Sequence, residues 1–276
     1  MTYAVRSASV RFGRTLALDD VTLVVEPGSV VAVVGGDGAG KTTLLRTLVG
    51  QLHLEQGEVD APPREAVGYL PASAGSWLSL SVAQNMNFVG GIYGLSGDAL
   101  ASRRDELLDR AQLGPVSDRL SSQLSGGMRR KLGFSMAMVH DPPLLVLDEP
   151  STGIDPVSRV DLWRLVSEAA SAGAAVVMST TYLDEAERAA SLLALDEGRT
   201  LASGTLADVL ASFSGAITAT ATPQRRTWAW RRGREYHEYW PATAEVPVGA
   251  VVVTPDLEDV IITLSMLRRH DLAPAT

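Results

Sequence analysis

Gly35-Gly36-Asp37-Gly38-Ala39-Gly40-Lys41-Thr42-Thr43 fits the pattern G-x-x-x-x-G-K-[ST], a glycine-rich loop whose backbone N–H groups cradle phosphates. Its flanks decide the fold around it. Upstream, residues 29–34 form an aliphatic, β-branched run suited to a strand buried on both faces; downstream, residues 41–49 read as a helix stopped by Gly50. Strand, loop and helix N-terminus together aim N–H groups and the positive end of the helix dipole at one phosphate chain. Lys41 is placed to neutralise the β- and γ-phosphates and Thr42 to offer its hydroxyl to Mg²⁺. A nucleoside triphosphate is the expected ligand.

Composition narrows the class. A chain of 276 residues is long enough for one large domain or two smaller ones without staples. It contains no cysteine, which excludes disulfides and thiolate metal sites, and its four histidines show no ligand spacing. A net charge of −8 argues against a generally basic nucleic-acid surface, so no nucleic-acid partner is expected. No run approaches the roughly 18 apolar residues of a membrane-spanning helix, and no signal peptide is read at the N-terminus. A soluble cytoplasmic protein is expected, with any membrane role exerted through a partner chain.

Around the loop, residues 3–12 and 21–25 read as short strands of an antiparallel layer, followed by strands at 57–59 and 66–70 separated by Pro62-Pro63. Residues 81–140 change character to helices and loops, an inserted helical subdomain. Within it, Leu124-Ser125-Gly126-Gly127-Met128 precedes a helix-like run led by Arg129, a second helix start suited to an anion. Ser125 is a candidate cap and phosphate ligand, although a Ser-Gly-Gly turn alone also reads as a plain helix cap. Leu144-Leu145-Val146-Leu147-Asp148-Glu149-Pro150 is a buried strand ending in two carboxylates, where ligands of parallel sheets bind. Asp148 suits Mg²⁺ and Glu149 suits polarisation of an attacking water.

From 151 to 211 strands and helices alternate, which predicts a mostly parallel sheet. After Phe213, Trp228, Trp230 and Trp240 interleave with Arg225, Arg226, Arg231, Arg232 and Arg234. Such a tail could bind nucleic acid or an acidic membrane surface, but alternation favours packing within a small β-rich appendage closed by a helix at 256–267.

With the phosphate loop, the 124–128 turn and the 144–150 strand in this order, the sequence resembles the nucleotide-binding subunits of ATP-binding cassette (ABC) transporters, of the drug- and antibiotic-exporter type. The resemblance covers roughly residues 1–212, and Leu257-Glu258-Asp259-Val260 echoes the ending of that subgroup. It implies an α/β fold: a P-loop ATPase core with a mostly parallel sheet and an antiparallel β layer, a helical subdomain at about 74–142, and a C-terminal α+β appendage at 213–276. It also implies ATP and Mg²⁺ as cofactors and an integral membrane permease as partner. Two cassettes would lie head to tail, Ser125, Gly126 and Gly127 of one facing the loop Gly35 to Thr43 of the other. The expected place is the cytoplasmic face of the membrane.

Matched position by position, Phe12 falls at the aromatic that stacks on adenine, Thr42 and Asp148 at the Mg²⁺ positions, Glu149 at the catalytic base and Asp155 in a loop reaching across the dimer. Asp37 stands where asparagine is commoner and is expected to weaken phosphate binding slightly. Two positions depart further. Ala72 replaces a glutamine that touches Mg²⁺ and the reacting water, and Thr181 replaces a histidine that contacts the γ-phosphate. Losing one preorganised transition-state donor costs about 2.7–4 kcal/mol. The favoured expectation is therefore a hydrolysis-impaired half of an unequal pair; an active homodimeric ATPase and a non-transport regulatory switch are the alternatives.

Overall fold

The structure, a computed structural model, describes residues 2–272. The chain opens with β1 (Tyr3–Phe12) and β2 (Thr15–Val25), an antiparallel pair, and continues into β3 (Val30–Val34), all five residues of which are buried. The phosphate loop follows β3 and leads into α1 (Lys41–Leu48). Next, β4 (Gln56–Asp60) returns to pair antiparallel with β1, so the first sheet has the order β2-β1-β4. β2 starts earlier than the expected strand at 21–25, because Asp19 and Asp20 interrupt the apolar alternation at a bulge where Asp20 takes φ 54°.

β5 (Val67–Leu70) begins the edge of the central sheet, and the chain then leaves it for α2 (Val82–Ile92), α3 (Gly97–Arg110) and α4 (Gly126–Ala137). Ser81 and Gln84 form a reciprocal capping box that starts α2. Asn85, fully buried on α2, ties down the preceding loop by accepting from Trp77 N at 2.8 Å and donating to the Ser81 carbonyl at 2.9 Å. At Gly133 of α4 an added Cβ would lie 2.4 Å from the Ala74 carbonyl oxygen, so α4 presses on the loop that follows β5 without room for a side chain.

β6 (Leu144–Leu147), α5 (Pro156–Ser171), β7 (Ala175–Thr180), the single turn α6 (Leu183–Ala186), β8 (Ser191–Asp196) and β9 (Arg199–Gly204) complete a six-stranded sheet of order β5-β6-β7-β3-β8-β9. Every neighbouring pair is parallel except β8 with β9. Strict alternation splits these strands between two cores: Leu144, Val146, Ala175 and Val177 pack with α1 and the antiparallel sheet, whereas Leu145, Leu147, Val176 and Met178 pack with α4 and α5. All the strands that end near the phosphate loop are thereby clamped from both faces.

After α7 (Leu206–Ala211), capped by Thr205, the chain forms β10 (Ala216–Thr220), β11 (Ala229–Arg232), β12 (Glu235–Trp240) and β13 (Val251–Val253), an antiparallel sheet of order β11-β12-β10-β13, and ends in α8 (Leu257–Leu272). Leu257 and Val260 of α8 share a buried cluster with Ala32 and Val34 of β3, so this last helix packs on the same strand that carries the phosphate loop. Two of the tail arginines work inside the fold. Arg225 lies over the Trp228 and Trp240 rings and donates to the Tyr239 carbonyl at 3.0 Å; Arg232 is held by Asp256 and Asp259.

Candidate functional site

The loop after β3 owes its shape to glycines that nothing larger could replace. A Cβ on Gly35 would sit 2.4 Å from the Leu195 carbonyl oxygen, and Gly40, at φ 102°, would bring one to 2.8 Å from that of Ala17. Gly40 is the N-cap of α1 and has no side chain to cap it, while the first turn, Lys41 to Leu44, carries no acid. The first turn of α1 itself therefore sets no acid against the positive end of the helix that faces the loop. A cleft of about 230 Å³ lies there, lined among others by Ala17, Asp37, Lys41, Thr42, Thr43 and Glu149; Gly36, Gly38, Ala39 and Gly40 supply its backbone wall.

Lys41 is only 5% exposed. Its ammonium donates to the carbonyls of Gly35 at 2.8 Å and Gly36 at 3.1 Å and lies 3.3 Å from the Glu149 carboxylate. Thr42 donates its hydroxyl to Asp148 at 3.1 Å, joining the loop to the end of β6. Asp148 is 1% exposed, and its backbone N–H reaches the Leu70 carbonyl of β5 at 2.8 Å. Glu149 turns into the left-handed region, φ 47°, a strained backbone that swings its side chain off the strand toward Lys41. Its other carboxylate oxygen accepts from the Thr152 hydroxyl at 3.2 Å.

Ser179, at the end of β7, organises both acids and was not among the residues expected at the site. Its hydroxyl donates to Asp148 at 2.7 Å and accepts from Glu149 N–H at 2.8 Å. The only signal in the sequence was its place in Ser179-Thr180-Thr181 at a strand end. Thr42, in the cleft wall, sets its hydroxyl beside the buried Asp148 Oδ1, a pair of hard oxygen donors that suits Mg²⁺, which takes few protein ligands and completes its shell with phosphate and water.

The remaining expected residues stand apart from this cleft. Phe12 is exposed at the end of β1, beyond the residues that line it. Ser125 caps α4, its hydroxyl accepting from Met128 N–H at 3.2 Å, and both Ser125 and Gly126 are exposed on the surface. Gly127 is buried: a Cβ there would meet the Ser158 hydroxyl at 2.3 Å, so the turn rests on the start of α5. Asp155 caps α5, accepting from the Ser158 hydroxyl at 2.6 Å and from the N–H groups of Val157 and Ser158, and these bonds hold its carboxyl below the usual range. Ala72 and Thr181 are both exposed.

Comparison with known proteins agrees with this geometry. The ABC transporter family profile matches residues 18–152. The chain is 38% identical over 198 residues to the probable multidrug ABC transporter ATP-binding protein YbhF of Escherichia coli, covering 68% of this chain but only 34% of that protein's length. It is 35% identical to the daunorubicin resistance ATP-binding protein DrrA3 of Streptomyces coeruleorubidus, over 76% of this chain and 70% of the relative. Among solved structures, an ATP-binding subunit of an ABC transporter superposes with a TM-score of 0.70 at 29% identity, over 77% of this chain and 93% of that one. The chain belongs to the ABC transporter family.

Proposed function

We propose that residues 1–212 bind Mg-ATP in the cleft at Lys41 and hydrolyse it slowly, as the weaker half of an unequal pair of cassettes that drives an export permease. The observation that carries this reading is the convergence of Lys41, Thr42 and Glu149 at one cleft with Asp148 bonded to Thr42, while Ala72 and Thr181 stand where the family has a glutamine and a histidine. Lys41 exchanges the Gly35 and Gly36 carbonyls for phosphate oxygens, and the loop N–H groups with the α1 terminus take the rest of the triphosphate. Thr42 and Asp148 would hold Mg²⁺, which would supply charge neutralisation to the triphosphate. Phe12 stacks on adenine.

Glu149 accepts a proton from water as the water oxygen bonds to the γ-phosphorus. The bond to the bridging oxygen breaks with its electron pair left on ADP, giving ADP and inorganic phosphate. Alanine at 72 offers no amide and threonine at 181 no cationic reach, which makes the step slow rather than abolishing binding. The turn Ser125-Gly126-Gly127, exposed at its first two residues, completes the site of the second cassette, and the start of α5 on which Gly127 rests carries Asp155 toward the same interface. Closure on ATP and reopening after hydrolysis move the permease.

A permease partner at the cytoplasmic face of the membrane is supported by an apolar patch on the helical subdomain: Trp77, Leu78, Phe88 and Ile92 are 43%, 51%, 48% and 64% exposed. Among the described residues, no helix is long and apolar enough to cross a membrane. Residues 213–276 serve as an accessory appendage, and the internal bonds of Arg225 and Arg232 favour packing over a ligand role for that tail. A second reading, an active homodimer, is favoured by the intact Glu149 beside Lys41. Single-turnover hydrolysis in the purified transporter tests both: one fast and one slow site supports the unequal pair, and two equal sites formed by two copies of this chain support the homodimer.

A further inference from the structure

Within its first two turns α4 carries three basic residues in a row, Arg129, Arg130 and Lys131, and they do not share one role. Lys131 is committed to Asp161 of α5 at 3.2 Å. Arg130 points the other way. One turn before Gly133, where α4 touches the 70–74 loop most closely, its guanidinium reaches the Pro71 carbonyl at 3.4 Å, the residue immediately before Ala72. Asp148 meets the same short stretch from the opposite side, through its N–H bond to the Leu70 carbonyl at 2.8 Å. Arg130 and Asp148, the residue before Glu149, thus both reach Leu70-Pro71.

The electrostatics agree with that placement. Burial pushes the Arg130 guanidinium down, and the Glu149 and Asp148 carboxylates are the charges that most support it. A single long hydrogen bond, among the described residues, leaves most of its five N–H donors for another acceptor. Glu149 meanwhile has Lys41 as its charged partner and Thr152 as a neutral one. When phosphate takes Lys41, Glu149 loses that cation, and Ala72 has no side-chain donor to offer in its place.

We propose that Arg130 is a positioning residue for hydrolysis at this chain's own site: its guanidinium takes over the Glu149 carboxylate from Lys41 and holds it toward the reacting water, at the corner that Ala72 leaves without a polar side chain. The inference rests on the reading of Glu149 as the base. It makes the residual turnover of the altered site depend on a cation from α4, and it ties that turnover to the seating of the helical subdomain on the 70–74 loop.

The test uses the assembled transporter with the second cassette's own base replaced, so that only this chain's site turns over, and compares Arg130→Ala, Arg130→Lys and the double variant Arg130→Ala with Ala72→Gln. Arg130→Ala is expected to lower single-turnover hydrolysis and vanadate trapping of ADP by about tenfold or more while fluorescent-ATP affinity stays within about twofold, since positioning of an acid–base group affects the reaction rather than binding. Arg130→Lys should keep part of the rate, and Ala72→Gln should restore much of what Arg130→Ala loses. An Arg130→Ala rate equal to the parent's, or a loss matched by equal loss of ATP affinity and melting temperature, overturns the proposal alone. A parent rate no higher than that of Glu149→Gln overturns the underlying reading and the proposal with it.

Discussion

The Lys41 ammonium lies 3.3 Å from the Glu149 carboxylate, so the cation that would grip a triphosphate neutralises the base that would activate the attacking water. Lys41 is almost wholly buried and Glu149 largely so, which places the pair in a medium where it is weakly screened. Phosphate must compete with the carboxylate for Lys41. Glu149→Gln is therefore expected to tighten ATP binding about threefold to tenfold, a gain of roughly 1 kcal/mol, while reducing hydrolysis to background. Equilibrium titration with a fluorescent ATP analogue and single-turnover assays on one preparation check both halves; unchanged or weaker binding would show that the ion pair does not oppose the nucleotide.

Ser179 joins two acids through one hydroxyl, donating to Asp148 and accepting from Glu149 N–H. Ser179→Ala leaves the Glu149 N–H without that acceptor in a buried setting, at an expected cost of about 1–3 kcal/mol in stability. Its larger consequence is for turnover, because the left-handed backbone at Glu149 loses one of its restraints. Chemical denaturation should register the first effect and a fall in kcat with little change in KM the second.

The buried strands were legible because both their faces are covered. Val30 to Val34 and Leu144 to Leu147 read as continuous aliphatic runs, and the structure buries every one of them. The loop and the two acids followed from motif and strand end. Other features are relations between distant segments, which a linear pattern does not carry: Ser179 meets Asp148 across 31 residues, and Arg130 meets Pro71 across 59. In the alternating stretch 151–211, α6 is held to the single turn Leu183–Ala186, since Ala190 already donates to the Val30 carbonyl just before β8. The partners of the tail arginines were equally hidden, as they lie on α8 and in the aromatic cluster rather than next to them in sequence.

Arg232 binds Asp256, and this hydrogen bond is the main reason that the Asp256 carboxyl is held below its usual range. A depressed folded-state value means that the contact contributes fully above the unfolded carboxyl value of about 4 and fades as pH falls through the lower folded value. Asp256→Asn should thus lower the melting temperature at pH 7 and lose that deficit progressively below about pH 4. A deficit that persists unchanged in acid would mean that the Asp256 charge is not what links the C-terminal sheet to α8.

Trp77 and Phe88 stack edge to face at 4.7 Å, yet both remain nearly half exposed, with Leu78 and Ile92 beside them in the exposed set. Asn85 fixes the loop beneath Trp77, so the patch is a rigid presentation rather than a frayed end. Rigid exposed aromatics of this kind anchor interfaces, where truncating a central one typically costs about 2 kcal/mol or more. Phe88→Ser and Ile92→Glu are expected to weaken recovery of the permease with this chain from detergent extracts by at least about tenfold, leaving ATP affinity unchanged. The separation matters because the patch lies on α2 and the loop before it, whereas the phosphate loop lies at the central sheet. If ATP affinity fell together with permease recovery, the substitutions would have disturbed α2 itself, and melting curves of the isolated chain would show it. If permease recovery were unaffected, the membrane subunit must dock elsewhere, and the exposed apolar face of α2 would need a different partner.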